Sequence, residues 1–217
     1  MDITNPRILK EAAKSGLHII LSTGFSTIFE ISRAIECILS QGNNKICLLH
    51  CIGLYPPPSD TLINLNNLNM LKNTFGLPVG YSDHTVGTEI SIAAISLGAK
   101  VLEKHFTLDK KMFGWDHHMS VMPDELKIIC QARDRISEAL GSTQRTLSRQ
   151  ELSRRKEYRR SIIIKRNLKK GSTLKNKDVD FRRPGTGIDP FEWDVIKGRK
   201  INKDLDEEHI LNHKDLF

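Results

Sequence analysis

Two histidines, His84 and His105, are the sharpest chemical signal in the chain. Each stands at the polar end of a short apolar run, LPVGYSDH (77–84) and AKVLEKH (99–105). If those runs are neighbouring strands, the two imidazoles converge on one rim. There they could share a divalent cation such as Mn²⁺, with positions left for water and a substrate oxygen. The plainer alternative is two unrelated histidines capping strand ends. Asp83 and Glu103 stand beside them as candidate catalytic carboxylates, able to fix the ring tautomers, or else as ion-pair partners of Lys104. His117 and His118, in the loop after Gly114-Trp115-Asp116, read as solvent-facing. Arg183 in RRPGTG is a second candidate. Its glycine-flanked loop lets backbone approach a carboxylate or phosphate that the guanidinium grips, or it is an ordinary surface arginine in a β-turn.

The elements that must position these groups are short. Two further runs, HIILSTG (18–24) and KICLLHC (45–51), end in Ser22-Thr23 and His50-Cys51. All four runs are rich in Ile, Leu or Val and apolar on both sides, as in strands buried on both faces of a parallel sheet. Functional groups gather at the carboxyl ends of such strands. Between the runs lie helical patterns. Thr27 with Glu30 forms a capping box ahead of Ile28, Ile31, Ala34, Ile35 and Ile38; a leucine stripe from 62 to 71 precedes Gly76; Thr88–Leu97 precedes Gly98; and Pro123–Leu140 ends at Gly141. No GxGxxG follows any strand, which weakens a dinucleotide-binding alternative. The pattern predicts an α/β chain. From Ser161 onward, short strands and the Gly171 turn predict a small β-rich domain. The expected division is 1–145, a basic linker at 146–160, and 161–217.

Composition bounds the remaining classes. The 217 residues carry a formal net charge of +7, yet ten basic and two acidic residues between Arg149 and Lys170 account for all of the excess. With no zinc-finger spacing or RNP-type aromatic motif beside it, this strip reads as a solvated linker or interface, and no nucleic-acid partner is expected. The sequence holds no apolar stretch long enough to span a bilayer and no visible signal peptide, so no membrane association is expected. Four cysteines without CxxC spacing predict reduced thiols and a cytoplasmic protein.

The motifs ILSTG, LLHC followed by YPPP, LPVGYSDHT, GAKVLEKHFTLD, RRSI and RPGTGI stand in the order found in sialic acid synthases. The chain resembles that family, which includes N-acetylneuraminate, legionaminate, pseudaminate and 9-phosphate synthases, from about Ile3 to Leu211. The resemblance implies the C-terminal half of a (β/α)8 TIM barrel, about four βα units, followed by an antifreeze-like (SAF) domain. In a domain-swapped homodimer that domain caps the partner's site. The implied enzyme is a transferase condensing phosphoenolpyruvate with an N-acetylated hexosamine such as N-acetylmannosamine, giving a nine-carbon 2-keto acid and phosphate. It further implies His84 and His105 as ligands of Mn²⁺ or another divalent cation such as Mg²⁺, and Ser22 and Ser82 as phosphoenolpyruvate contacts. Tyr55 and Asp116 would contact the amino sugar, Arg183 would hold the sugar from a neighbouring subunit, and Glu103 would act beside the metal.

Two positions depart from the family pattern. Gly53 stands where neuraminate synthases carry a polar residue, often Asn or Ser, and GWDHH stands where GPDHK is common. Both leave the sugar unspecified. Family members are also longer, and their first four strands bring an acidic residue and the lysines that bind phosphoenolpyruvate. The resemblance therefore predicts a truncated chain, inactive alone, with open sheet edges. The alternative is a non-catalytic half-barrel that binds a sugar acid or a partner.

Overall fold

The four apolar runs are strands in the computed structural model, which describes residues 2–217: β1 (Ile19–Ser22), β2 (Ile46–Cys51), β3 (Val79–Asp83) and β4 (Leu102–Lys104). They pair in parallel in the order β1-β2-β3-β4. A doubly wound sheet reverses its order at a switch point, whereas a barrel adds strands in one direction, so this is the arc of a (β/α)8 barrel. Register places Cys51 beside Ser82 and Ser82 beside Glu103, which brings three polar side chains into one row.

Five helices accompany the strands. Asn5 caps α1 (Pro6–Lys14) through its side-chain oxygen, with Pro6 supplying the preset backbone of the first turn. This helix has no counterpart among the sequence expectations, because its apolar positions are few. The Thr27–Glu30 capping box starts α2 (Ile28–Leu39) as expected. The leucine stripe divides: residues 60–62 form a single 3-10 turn, and α3 (Asn67–Phe75) follows, stopped by Gly76 at φ +66°. Next come α4 (Glu89–Ser96) and α5 (Pro123–Leu140).

Alternation along the strands separates two faces. Leu21, Ile46, Leu48, Val79 and Tyr81 join Ile31, Ile35 and Ile38 of α2 and Leu68 and Leu71 of α3 in one buried cluster. Each such side chain withdrawn from water contributes roughly 1.5–3 kcal/mol. The intervening residues, Ile20, Ser22, Leu49, Cys51, Gly80, Ser82 and Glu103, face the other way. Gly80 is obligatory there, because a Cβ would strike the Leu49 side chain and the Val101 backbone carbonyl. On the edge strand β1 this inner face is open, and Ile20 is 53% exposed.

The chain divides into residues 1–141 and 142–217. In the second unit, residues Arg149–Tyr158 of the stretch expected as a linker form helix α6, opened by a Ser148–Glu151 capping box, with no buried side chain. Strands β5 (Ser161–Ile164) and β6 (Val179–Arg182) pair antiparallel. Helix α7 (Trp193–Ile196) and single bridges such as Leu168–Leu205 and Ile201–Leu216 complete a core around Ile162, Ile164, Leu174, Ile201 and Leu211. Among the described residues no helix is long and apolar enough to cross a membrane.

Candidate active site

His84 follows β3 directly and is buried. Its Nδ1 lies 2.8 Å from the carbonyl oxygen of Ile52. A carbonyl only accepts, so Nδ1 carries the proton and the Nε2 lone pair is left for a ligand. The Tyr55 ring stacks on this imidazole at 3.9 Å between centroids and 26° between planes. His105, one residue past β4, lies edge-on to both: 5.2 Å from His84 and 5.5 Å from Tyr55. Nitrogens about 2.1 Å from a shared cation, subtending ~90–110°, put imidazole centroids about 4.5–5.5 Å apart. The pair meets that condition. Among the described residues no three His, Cys, Asp or Glu side chains gather as a ligand set. The two imidazoles are the groups on this rim that could hold a metal ion.

The inner row lies beside this pair. Ser82 Oγ donates to Glu103 Oε1 at 2.6 Å, while Glu103 itself is exposed. Cys51 Sγ sits 4.0 Å from His84 Nδ1, with the hydroxyls of Ser22 and Ser82 close by. Burial pushes the Cys51 thiol up, but its bonds to His84 and Ser22 outweigh this and hold it below its ordinary value. For His84, burial favours the neutral ring, and the bonds to Cys51 and the Ile52 carbonyl outweigh that effect and raise its pKa. Burial, followed by the negative charge near Cys51 and Asp116, raises the Tyr55 phenol. Asp116 Oδ2 is 3.7 Å from His105 Nδ1, beyond direct hydrogen bonding but close enough to attract an imidazolium.

Thus Ser22, Tyr55, Ser82, His84, Glu103, His105 and Asp116 are linked through these contacts. Asp83 is not among them. It points to the helix side, where Oδ2 receives Ser91 Oγ at 2.5 Å and Lys104 Nζ at 2.8 Å, and Oδ1 receives Thr85 N and Oγ1. Of the two alternatives for Asp83, it is the partner of Lys104, because strand alternation turns it away from its neighbours Ser82 and His84. His117 is also held rather than solvent-facing: its Nδ1 lies 2.8 Å from Thr107 Oγ1. Arg183 belongs to the second unit, exposed, with its guanidinium 5.3 Å from the centre of the Tyr158 ring.

One rim residue escaped the sequence reading. Phe25, in the β1–α2 loop, adopts φ +58° and is 74% exposed, and its ring covers Gly53 so closely that a Cβ there would run into it. The left-handed backbone and Gly53 together let an aromatic face occupy the space a side chain at 53 would fill. An apolar residue directly after the strand-end glycine was the available signal.

Residues 1–145 match the NeuB family. Over 216 residues the chain is 43% identical to an uncharacterized protein of Methanocaldococcus jannaschii, covering all of this chain and 64% of that protein. It is 39% identical to the N,N'-diacetyllegionaminic acid synthase of Campylobacter jejuni, covering 97% of this chain and 63% of the relative. The chain thus spans somewhat under two thirds of the length of these curated relatives. The crystal structure of a spore coat polysaccharide biosynthesis protein of Bacillus subtilis superposes with a TM-score of 0.60 at 30% identity, covering all of this chain and 65% of that one. A parallel arc with a histidine pair at its carboxyl rim and a family match over two thirds of the residues lead to one assignment: the chain belongs to the NeuB family.

Proposed function

We propose that this chain carries the metal- and sugar-binding part of a sugar-acid synthase that condenses phosphoenolpyruvate with an N-acylated hexosamine. The observation that carries this reading is the His84–His105 pair, 5.2 Å apart with Nε2 of His84 unencumbered. A divalent cation such as Mn²⁺ or Mg²⁺ bound by the two histidines would supply Lewis-acid polarisation of the sugar's aldehyde oxygen. In the overall reaction C3 of phosphoenolpyruvate bonds to the aldehyde carbon, whose oxygen takes up a proton, water adds at C2 with loss of a proton, and the tetrahedral adduct expels phosphate, leaving the 2-keto acid.

The chain's own groups orient these partners. Ser22 and Ser82, on the strands either side of Cys51, are the hydroxyls placed to meet the anionic oxygens of phosphoenolpyruvate, Ser82 by turning its single proton from Glu103 Oε1 to the ligand. Glu103 fixes Ser82 through Oε1, and its Oε2 remains to accept the proton that water gives up on attack. Tyr55 and Asp116 flank the histidines, where a sugar hydroxyl or amide would lie. Arg183, on its glycine-flanked loop, would close the sugar end from a neighbouring subunit of a homodimer. The phosphoenolpyruvate lysines implied by the resemblance have no counterpart here, so the chain assayed alone should turn over slowly.

The test is titration of the chain with Mn²⁺, followed by phosphate release from phosphoenolpyruvate with N-acetylmannosamine or a di-N-acetylated hexosamine. Stoichiometric binding that disappears in His84→Ala and His105→Ala is expected. Undiminished binding in both variants would refute the site, and robust turnover by the isolated chain would refute the argument from the lysines.

A further inference from the structure

The inner face holds the histidines, and the opposite face holds a charge pair with almost no access to water. Side-chain exposure is 3% for Lys104 and 0% for Asp83. Burying two charges is costly unless every polar atom is matched, and removing one partner leaves the other stranded. Here each charged atom has hydrogen-bond partners. Lys104 Nζ donates to Asp83 Oδ2 at 2.8 Å and to the Thr85 carbonyl at 2.7 Å. Asp83 Oδ1 receives Thr85 N at 2.8 Å and Thr85 Oγ1 at 2.7 Å, and Oδ2 also receives Ser91 Oγ from α4.

The sequence positions of these groups give the pair its meaning. Asp83 and Thr85 are the two chain neighbours of His84, and both are tied to Lys104. Lys104 is itself the residue between Glu103 and His105. Its ammonium therefore pins the turn that presents one imidazole to the strand end that presents the other. The outer edge of β4 is held as well, since Val121 N donates to the His105 carbonyl at 2.8 Å and Thr107 N to that of Val121 at 3.0 Å. Ring tautomer is set on the inner face by Ile52, and backbone separation on the outer face by Lys104.

We infer that Asp83 and Lys104 are positioning residues: their buried ion pair fixes the distance and mutual tilt of His84 and His105. Neither touches substrate or metal. The inference deepens the proposed metal-site reading but is tested separately, because ring separation can be measured with no metal present. In the 217-residue chain labelled at histidine, imidazole protons of the two rings should show a through-space NMR cross-peak at a centroid spacing of 5.2 Å. Lys104→Met should abolish or weaken that cross-peak while leaving the folded spectrum of the remaining residues in place. Co²⁺ affinity should fall about 10–100-fold, the range seen for removal of groups that orient metal ligands.

Should Lys104→Met fail to fold, Thr85→Val and Ser91→Ala remove one bond each from the same cluster and should weaken the cross-peak in smaller steps. Lys110→Met, which breaks the partly exposed Lys110–Glu125 pair, serves as the control. A folded Lys104→Met, or folded Thr85→Val and Ser91→Ala, with the wild-type cross-peak would overturn the inference. A wild-type chain that shows the cross-peak yet binds no cation would overturn the metal reading and leave the positioning role supported.

Discussion

Tyr55 is the contact whose two functions separate most cleanly. Its ring stacks on His84 at 3.9 Å and meets His105 edge-on at 5.5 Å, so it touches both proposed ligands, while its hydroxyl is the part assigned to the sugar. Tyr55→Phe keeps the ring and removes the hydroxyl; Tyr55→Ala removes both. An aromatic pair contributes about 0.5–1.5 kcal/mol beyond area burial. Tyr55 is 50% exposed, which argues for the lower half of that range. If most of that energy holds His84 in the binding rotamer, Tyr55→Ala weakens cation affinity by roughly 2–5-fold, since 1.4 kcal/mol corresponds to a factor of ten. Tyr55→Phe should leave cation affinity unchanged and raise KM for the amino sugar. The measurements are calorimetric Mn²⁺ titration for the first effect and the condensation assay for the second. Equal cation affinity in Tyr55→Ala and wild type would show that the stack does not organise the histidine, and the reasoning from ring geometry would fail.

Two further expectations follow from the packing. Gly53→Ser should displace the Phe25 ring with little loss of stability, because that ring is largely exposed. It should change the preference among N-acylated sugars, and adding Phe25→Ala should cancel the steric part of the effect; identical sugar preference in all three proteins would count against a role for this pair. In the second unit, buried Asp215 Oδ2 bonds to His209 at 2.8 Å and the Asn212 N–H at 2.9 Å, while Oδ1 pairs electrostatically with the Lys203 ammonium at 2.7 Å. Burial alone would raise its pKa, but the Lys203 ammonium and the bond to His209 outweigh this and hold it below the ordinary carboxylate range. A depressed folded pKa contributes stability above the unfolded value of about 4 and loses it as pH falls through the folded value. Acid unfolding of Asp215→Asn should therefore be flatter than wild type below pH ~4, and a superimposable acid transition would contradict that.

Much of the site was legible because polar groups at the ends of apolar runs are a one-dimensional signal. His84, His105 and Glu103 stand out that way, Ser82 through the family resemblance, and strand order brings the four together. The role of Asp83 was not settled, since adjacent carboxylate and histidine look like partners in sequence while strand alternation sends them to opposite faces. Phe25 was missed because exposed aromatics in loops carry no periodicity. Helix α1 escaped because it depends on the Asn5 cap and Pro6 more than on an apolar stripe. Helix α6 has no apolar stripe at all; its Ser148-x-x-Glu151 box was the signal, overshadowed by the surrounding charge.

Strand alternation has a consequence for how this rim tolerates change. Within β3 and β4, each position that faces the proposed site is flanked by one that meets the helices, so neighbours in the gene answer to different selective pressures. Changes at Ser82, Glu103 or either imidazole would alter chemistry in a protein that still folds. Changes at Tyr81, Asp83 or Lys104 would first disturb the scaffold and reach the chemistry only through it. A saturation library read for both abundance and turnover should therefore show the two phenotypes interleaved with a period of two.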